Sequence, residues 1–181
     1  FRQYCRALIA DLDGATHADA SEQYAQNIPV HGMCQLLGVP ESDADMFREW
    51  IFLNFQVSPR NPAVRERIQV EMQEYNDRML ADRLREPKDD LLTLIAHAEI
   101  DGEPVSQELK RGYVSLTIIA GIDTTWSAIG SGMWHFAQHA DERAALAAAA
   151  NDDMLWNTAT EEVLRYYAPV TRGRTVINDT E

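Results

Sequence analysis

The sequence predicts a mainly α-helical protein, and three observations carry that expectation. Apolar residues recur at three- and four-residue intervals through most of the chain, the spacing of one helix face. Glycine, proline and capping residues punctuate the pattern at helix-length intervals. The one expected strand, Arg174-Thr175-Val176-Ile177, has β-branched character and lies near the C-terminal end.

The first helix is expected over Phe1 to Leu12. Phe1, Tyr4, Cys5, Leu8, Ile9 and Leu12 share a face, and Gly14 stops it. A polar stretch runs from Thr16 to Asn27. Ile28-Pro29 then opens a short apolar helix through Leu37, since proline suits a first turn. Gly38 and Pro40 end it. Ser42 is the expected N-cap of a helix carrying Met46, Phe47, Trp50 and Ile51. Ser58-Pro59-Arg60-Asn61-Pro62 breaks that helix, and Asn61 and Pro62 cap and start a longer one. Its face is Val64, Ile68, Met72, Tyr75, Met79 and Leu80, and Pro87 ends it. Asp89 or Asp90 starts a helix with Leu91, Leu92, Leu94 and Ile95, and Asp101-Gly102 marks a turn. Ser106 caps a long segment running to about His139. Helices from about Asp141 to Ala150 and from about Met154 to Tyr167 follow, the last ending near Pro169.

The long segment is the unusual one. Between Tyr113 and Phe136 its one formal charge is Asp123. Its length alone allows a membrane span. A carboxylate near the middle costs about 2.5–3.5 kcal/mol on insertion scales, and the neighbouring segments are amphipathic. The better reading is a helix buried through a globular core, apolar nearly all round. Asp123 and Thr124 are then the exceptions, because an unpaired buried charge is costly. Gly121 allows close approach to the backbone. The Thr124 hydroxyl can bond back to the Ala120 carbonyl and open the helix locally into a groove. A carboxylate beside it can relay protons. The competing reading is tight helix packing, with Asp123 in a structural ion pair.

Ala120-Gly121-Ile122-Asp123-Thr124 resembles the (A/G)-G-x-(D/E)-T pattern of the long I helix of the cytochrome P-450 monooxygenases. Glu162-Val163-Leu164-Arg165, followed by Pro169-Val170, is similar to that family's E-x-x-R motif. Gly173-Arg174-Thr175-Val176 resembles the strand whose arginine meets a haem propionate. The three follow in the family's order. Ile28-Pro29-Val30 to Gly38-Val39-Pro40 is similar to the E-helix region of soluble bacterial members, so the resemblance covers essentially the whole chain.

The resemblance implies the central part of the cytochrome P-450 fold, about helices D to K, with a little β structure near the C-terminus. It implies a haem cofactor, iron protoporphyrin IX, and a monooxygenase that uses dioxygen to oxidise a small organic substrate. Asp123 and Thr124 would be the acid–alcohol pair delivering protons to dioxygen. Ala120, Gly121 and Thr124 would face the haem, and Arg174 would bind a propionate. Leu116, Ile119, Ala120, Pro169 and Val170 would line the substrate pocket. Glu162 and Arg165 would form a structural ion pair.

One departure matters. The family's ligand loop, F-x-x-G-x-x-x-C-x-G, has no counterpart here, and neither Cys5 nor Cys34 sits in such a context. Both ends read as cuts. The expectation is therefore one partial domain over residues 1–181, lacking the N-terminal segment and the haem-ligand region, and inactive alone. The alternative is a non-catalytic helical fragment or interaction module that binds no haem. An electron-transfer partner is implied, a ferredoxin with its reductase or a fused reductase domain. The run Ile122 to Gly130 is similar to bacterial members of the fused kind.

Composition narrows the partners. The chain is 45% hydrophobic and carries a formal net charge of -13. That acidity repels phosphate backbones and anionic lipid, so neither nucleic acid nor a membrane surface is an expected partner. Cys5 and Cys34 lack metal-type spacing and read as free thiols of a reducing, cytoplasmic compartment. His135 and His139 lie four apart, a metal-binding interval, but no cysteine or carboxylate offers an obvious third ligand. They read as helix-end histidines favoured by the dipole, with no metal.

Overall fold

The structure, a computed structural model, describes residues 1–170. The expected strand at 174–177 lies outside the described residues. These residues group into two compact units that divide within one helix, Phe1–Trp126 and the residues from Ser127 on. No linker composition marks that division, which is why the sequence suggested no boundary.

In the first unit, α1 (Arg2–Ala10), α2 (Asn27–Leu37), α3 (Ala44–Phe52), α4 (Pro62–Arg85), α5 (Leu91–Ala96) and the first part of α6 (Gln107–Gln138) follow in order. Most boundaries fall where the local chemistry places them. Asn61 accepts the Val64 amide at 3.4 Å, and Asp90 accepts the Thr93 amide at 2.8 Å. Ser106 accepts the Leu109 amide at 3.3 Å. Gly38 ends α2 in the left-handed region at φ 68°. A Cβ there would also run into the Asp90 carboxylate.

Two boundaries differ from expectation. Ser42 does not cap α3; a single 3-10 turn, Glu41–Asp43, precedes the helix, and Asp43 stands at its N-cap position without a side-chain capping bond. Its carboxylate instead accepts the Tyr75 hydroxyl at 2.8 Å. The Asp101-Gly102 turn joins two very short strands, β1 (Glu99–Ile100) and β2 (Glu103–Pro104), in an antiparallel hairpin. Two-residue strands are too brief to show alternation in sequence.

The core of this unit gathers Val30, Met33 and Leu37 of α2, Phe47, Trp50 and Ile51 of α3, and Ile68, Tyr75 and Leu80 of α4. Leu92 of α5 and Val114, Ile118 and Ile122 of α6 complete it. Tyr75 packs edge-on against Phe47 and Trp50, and the three ring centroids lie 5.5–5.8 Å apart. Polar ties fix α6 against α4. Asn76 donates to the Ser115 hydroxyl at 2.8 Å, and Arg111 meets Asp77 at 2.6 Å. The buried Lys110 ammonium donates to the Ala96 carbonyl at 2.6 Å, supplying a cation to the C-terminus of α5.

Both cysteines are free. Cys34 is buried, and burial, followed by the nearby Asp43 and Glu41, pushes its thiol up to about 11. The thiolate is the reactive form. Iodoacetamide should therefore leave Cys34 unmodified in the native protein and alkylate it rapidly in denaturant. Peptide mass mapping after a timed pulse checks this; native labelling at the denatured rate would contradict it.

The second unit holds the end of α6, α7 (Ala140–Ala148) and α8 (Asp153–Tyr167). Asp152 caps α8 by accepting the Leu155 amide at 3.0 Å. Among the described residues Leu146 is its one buried hydrophobic residue, whereas Trp134, Met154 and Tyr166 stand exposed. Among the described residues no helix is long and apolar enough to cross a membrane.

Candidate functional site

The expectation that α6 is buried nearly all round does not hold. Its buried residues are Lys110, Val114, Ile118 and Ile122, a single stripe at four-residue intervals. Two residues along an α-helix is a turn of about 200°. Leu116, Ala120 and Thr124 therefore form a parallel stripe on the opposite side. Leu116 and Ala120 are exposed and Thr124 is half-buried. Asp123 flanks this stripe and is itself half-buried. Ile119 lies toward the core and packs against its cluster.

Gly121 has a different use from the one expected. Its missing side chain admits the Met33 methyl group, which a Cβ would displace. The close approach is thus made by α2, on the inner side of the helix. Thr124 Oγ1 does donate to the Ala120 carbonyl, at 2.8 Å. α6 nevertheless continues as an α-helix through both residues, so this bond alone opens no groove. Thr117, Thr158 and Thr160 make the same bond to the carbonyl four residues back. The hydroxyl bond is a general habit of helical threonine. What distinguishes Thr124 is its company: a small residue one turn before it and a carboxylate beside it.

That bond has a chemical consequence. A hydroxyl carries one proton and two lone pairs. The Thr124 proton is committed to Ala120, so Thr124 presents an acceptor to anything on the exposed stripe. Neither a bulky side chain nor a cation occupies the stripe between Leu116 and Thr124. A flat, apolar ring can lie against Ala120 there. Cys34 does not suit an iron, because it is core-buried with a raised thiol pKa.

In the second unit, α8 brings Glu162 and Arg165 together through two bonds. Arg165 Nε donates to Oε2 at 2.7 Å and Nη2 to Oε1 at 2.6 Å. The bond from Arg165 holds the Glu162 carboxyl below its ordinary range. Both side chains are exposed, so the pair contributes little stability by itself. Pro169 is half-buried and Val170 exposed, just beyond the C-terminus of α8. Arg174 lies outside the described residues.

Sequence reasoning missed one cluster in this unit. His135 Nε2 lies 2.8 Å from Glu142 Oε2, and His139 Nδ1 lies 3.8 Å from Glu142 Oε1. Tyr167 Oη sits 3.0 Å from His135 Nδ1. Glu142 is the third ligand-type group that appeared to be lacking. The chain breaks helical geometry at His139 (φ -109°, ψ 76°), and α7 then carries Glu142 back beside α6. The four-residue histidine interval was the readable signal; the intervening break hid its partner.

No model of a protein family matches the chain. Sequence relatives are nonetheless clear. The chain is 34% identical over 166 residues to cytochrome P-450 107B1 of Saccharopolyspora erythraea, covering 92% of this chain and 40% of that protein. It is 35% identical over 170 residues to the vitamin D(3) 25-hydroxylase of Pseudonocardia autotrophica, with 92% and 40% covered. The solved structure of the Bacillus subtilis bacillaene polyketide synthase cytochrome P-450, PksS, superposes with a TM-score of 0.84 at 29% identity, covering 93% of this chain and 42% of that one. The helical architecture is that of part of the cytochrome P-450 fold. The chain belongs to the cytochrome P-450 family. It spans about two fifths of the length of the curated relatives it matches.

Proposed function

We propose that this chain belongs to a haem-dependent monooxygenase that uses dioxygen to oxidise a small organic substrate. The observation that carries the reading is the stripe Leu116, Ala120 and Thr124, flanked by Asp123 and placed opposite the core stripe of α6. When bound, the haem supplies the iron chemistry that activates dioxygen. The chain's share is placement and proton handling. Ala120 would give a helix surface low enough for the ring, with Thr124 one turn further along. Leu116, exposed on that stripe, would offer apolar contact to a substrate. Thr124, as an acceptor, holds a water or a protonated oxygen in register. Asp123 is the carboxylate that exchanges protons with such a water.

Glu162 and Arg165 pair along one face of α8 and do no chemistry. Arg174 would anchor a propionate of the haem. Neither Cys5 nor Cys34 would supply the thiolate of such a haem. An electron-transfer partner completes the cycle, and two unpaired cysteines suit a reducing cytoplasm. The exposed Trp134, Met154 and Tyr166 support the view that these 181 residues are one part of a domain. The intact protein, reduced and exposed to carbon monoxide, should show the red-shifted Soret band of a thiolate-ligated haem. Purified intact protein that binds no haem would overturn the proposal.

A further inference from the structure

The cluster at the junction of α6 and α7 has no part in oxygen chemistry, and its donors suit a metal ion. His135 and His139 offer imidazole nitrogens from successive turns, and Glu142 offers a carboxylate. One ligand atom from each lies within 4.8 Å of the other two. Zinc takes nitrogen at about 2.0–2.1 Å and carboxylate oxygen at about 2.0–2.2 Å. Tetrahedral ligands at those lengths stand roughly 3.3 Å apart. The shortest approach, 2.8 Å between His135 and Glu142, and the 3.8 Å one between His139 and Glu142 bracket that value. Small rotations of two exposed side chains, His139 and Glu142, close the remaining difference.

The surroundings fit as well. A ligating histidine ordinarily donates its other ring N–H to an oxygen, which fixes tautomer and ring orientation. His135 has that arrangement already. Its Nδ1 meets the Tyr167 hydroxyl at 3.0 Å while Nε2 faces Glu142. The two imidazoles stack at 4.2 Å between centroids, so His139 is held beside its partner. Arg143, the nearest cation in sequence, donates to the Phe136 carbonyl at 2.5 Å and is thereby engaged away from Glu142.

We propose that His135, His139 and Glu142 form a binding site for a divalent transition-metal ion of the zinc class, with Tyr167 orienting His135. Two nitrogens and one oxygen leave a fourth position for water. The ion would clamp the end of α6 to α7, and through Tyr167 to α8. Magnesium and calcium are excluded by the donor set, since both prefer all-oxygen coordination. The site is independent of the haem reading, because none of its four residues is among those assigned to oxygen, haem or substrate.

The test is calorimetric titration of zinc chloride into chelator-stripped intact protein. One zinc equivalent per chain should be lost, or bind at least 100-fold more weakly, in His139→Ala and in Glu142→Gln. Both residues are exposed, so folding should survive. Tyr167→Phe should weaken the same equivalent by about 10–100-fold while leaving stoichiometry intact. Magnesium should not compete. Zinc binding that is unchanged in both ligand variants, or displaced equally by magnesium, overturns the proposal, as does wild-type protein that binds no zinc.

Discussion

Replacing Arg83 with alanine is expected to destabilise the intact protein by about 3–5 kcal/mol, the range for breaking a buried ion pair from one side. Arg83 Nε meets Asp90 Oδ2 at 2.6 Å, and Nη2 donates to the Gly38 carbonyl at 2.6 Å. The two side chains are only 6% and 4% exposed. Removing the guanidinium strands the buried Asp90 carboxylate and takes the donor from the Gly38 carbonyl. Asp90 cannot simply turn to water, because it also accepts the Thr93 amide and the Thr93 hydroxyl, each at 2.8 Å, as the cap of α5. Three elements meet at this point: the end of α2, the last turn of α4 and the start of α5.

The effect has a signed pH dependence. Burial raises the Asp90 pKa, but the Thr93 bonds and Arg83 outweigh it and hold the carboxyl below its ordinary range. A depressed folded-state pKa stabilises above the unfolded value, about 3.9, and that contribution is lost as pH falls through the lower folded value. In Arg83→Ala the carboxyl loses its cation and keeps its burial. The gap between wild type and variant should thus be full near neutrality and shrink as Asp90 protonates. Urea unfolding at neutral and acidic pH measures both. A neutral-pH loss under about 1 kcal/mol, the range of exposed pairs, would mean the site is more solvated than its burial indicates.

None of this was readable from sequence, although Arg83, Gly38 and Asp90 were each near features that were. Gly38 with Pro40 announced the end of α2, and Asp90 announced the start of α5, because turn and cap chemistry is local. The bond from Arg83 to Gly38 spans 45 residues, and periodicity reports faces, not partners. The same limit explains Ser42. It looked like a cap, but the neighbouring Asp43 occupies the N-cap position and its carboxylate serves Tyr75, 32 residues away. For α6 the length and both ends were legible, and so was its lone acidic residue. How much of its surface the rest of the protein covers was not. Glu142 was missed for a related reason: helical spacing cannot be extended through a break such as that at His139.

Thr124→Ala should lower product formed per electron consumed by about tenfold in the reconstituted enzyme, with peroxide accounting for the lost electrons. This rests on the proposed oxygenase function. The structural side of the substitution is mild. Thr124 is half-buried, alanine is the better helix former, and the lost bond runs to a carbonyl already within a continuous helix. Stability should change by under about 1 kcal/mol, so a large loss of coupling could not be blamed on unfolding. Two further variants separate shape from chemistry. Thr124→Val keeps the branched outline without the hydroxyl and should behave as alanine does. Thr124→Ser keeps the hydroxyl and should recover most coupling. Because the Thr124 proton goes to Ala120, the property under test is the lone pair, an acceptor that positions the oxygen or water it faces. Equal coupling in wild type, Thr124→Ala and Thr124→Val would show that Thr124 is one more helical threonine, like Thr117, and would move the proton-handling role entirely to Asp123 or to water.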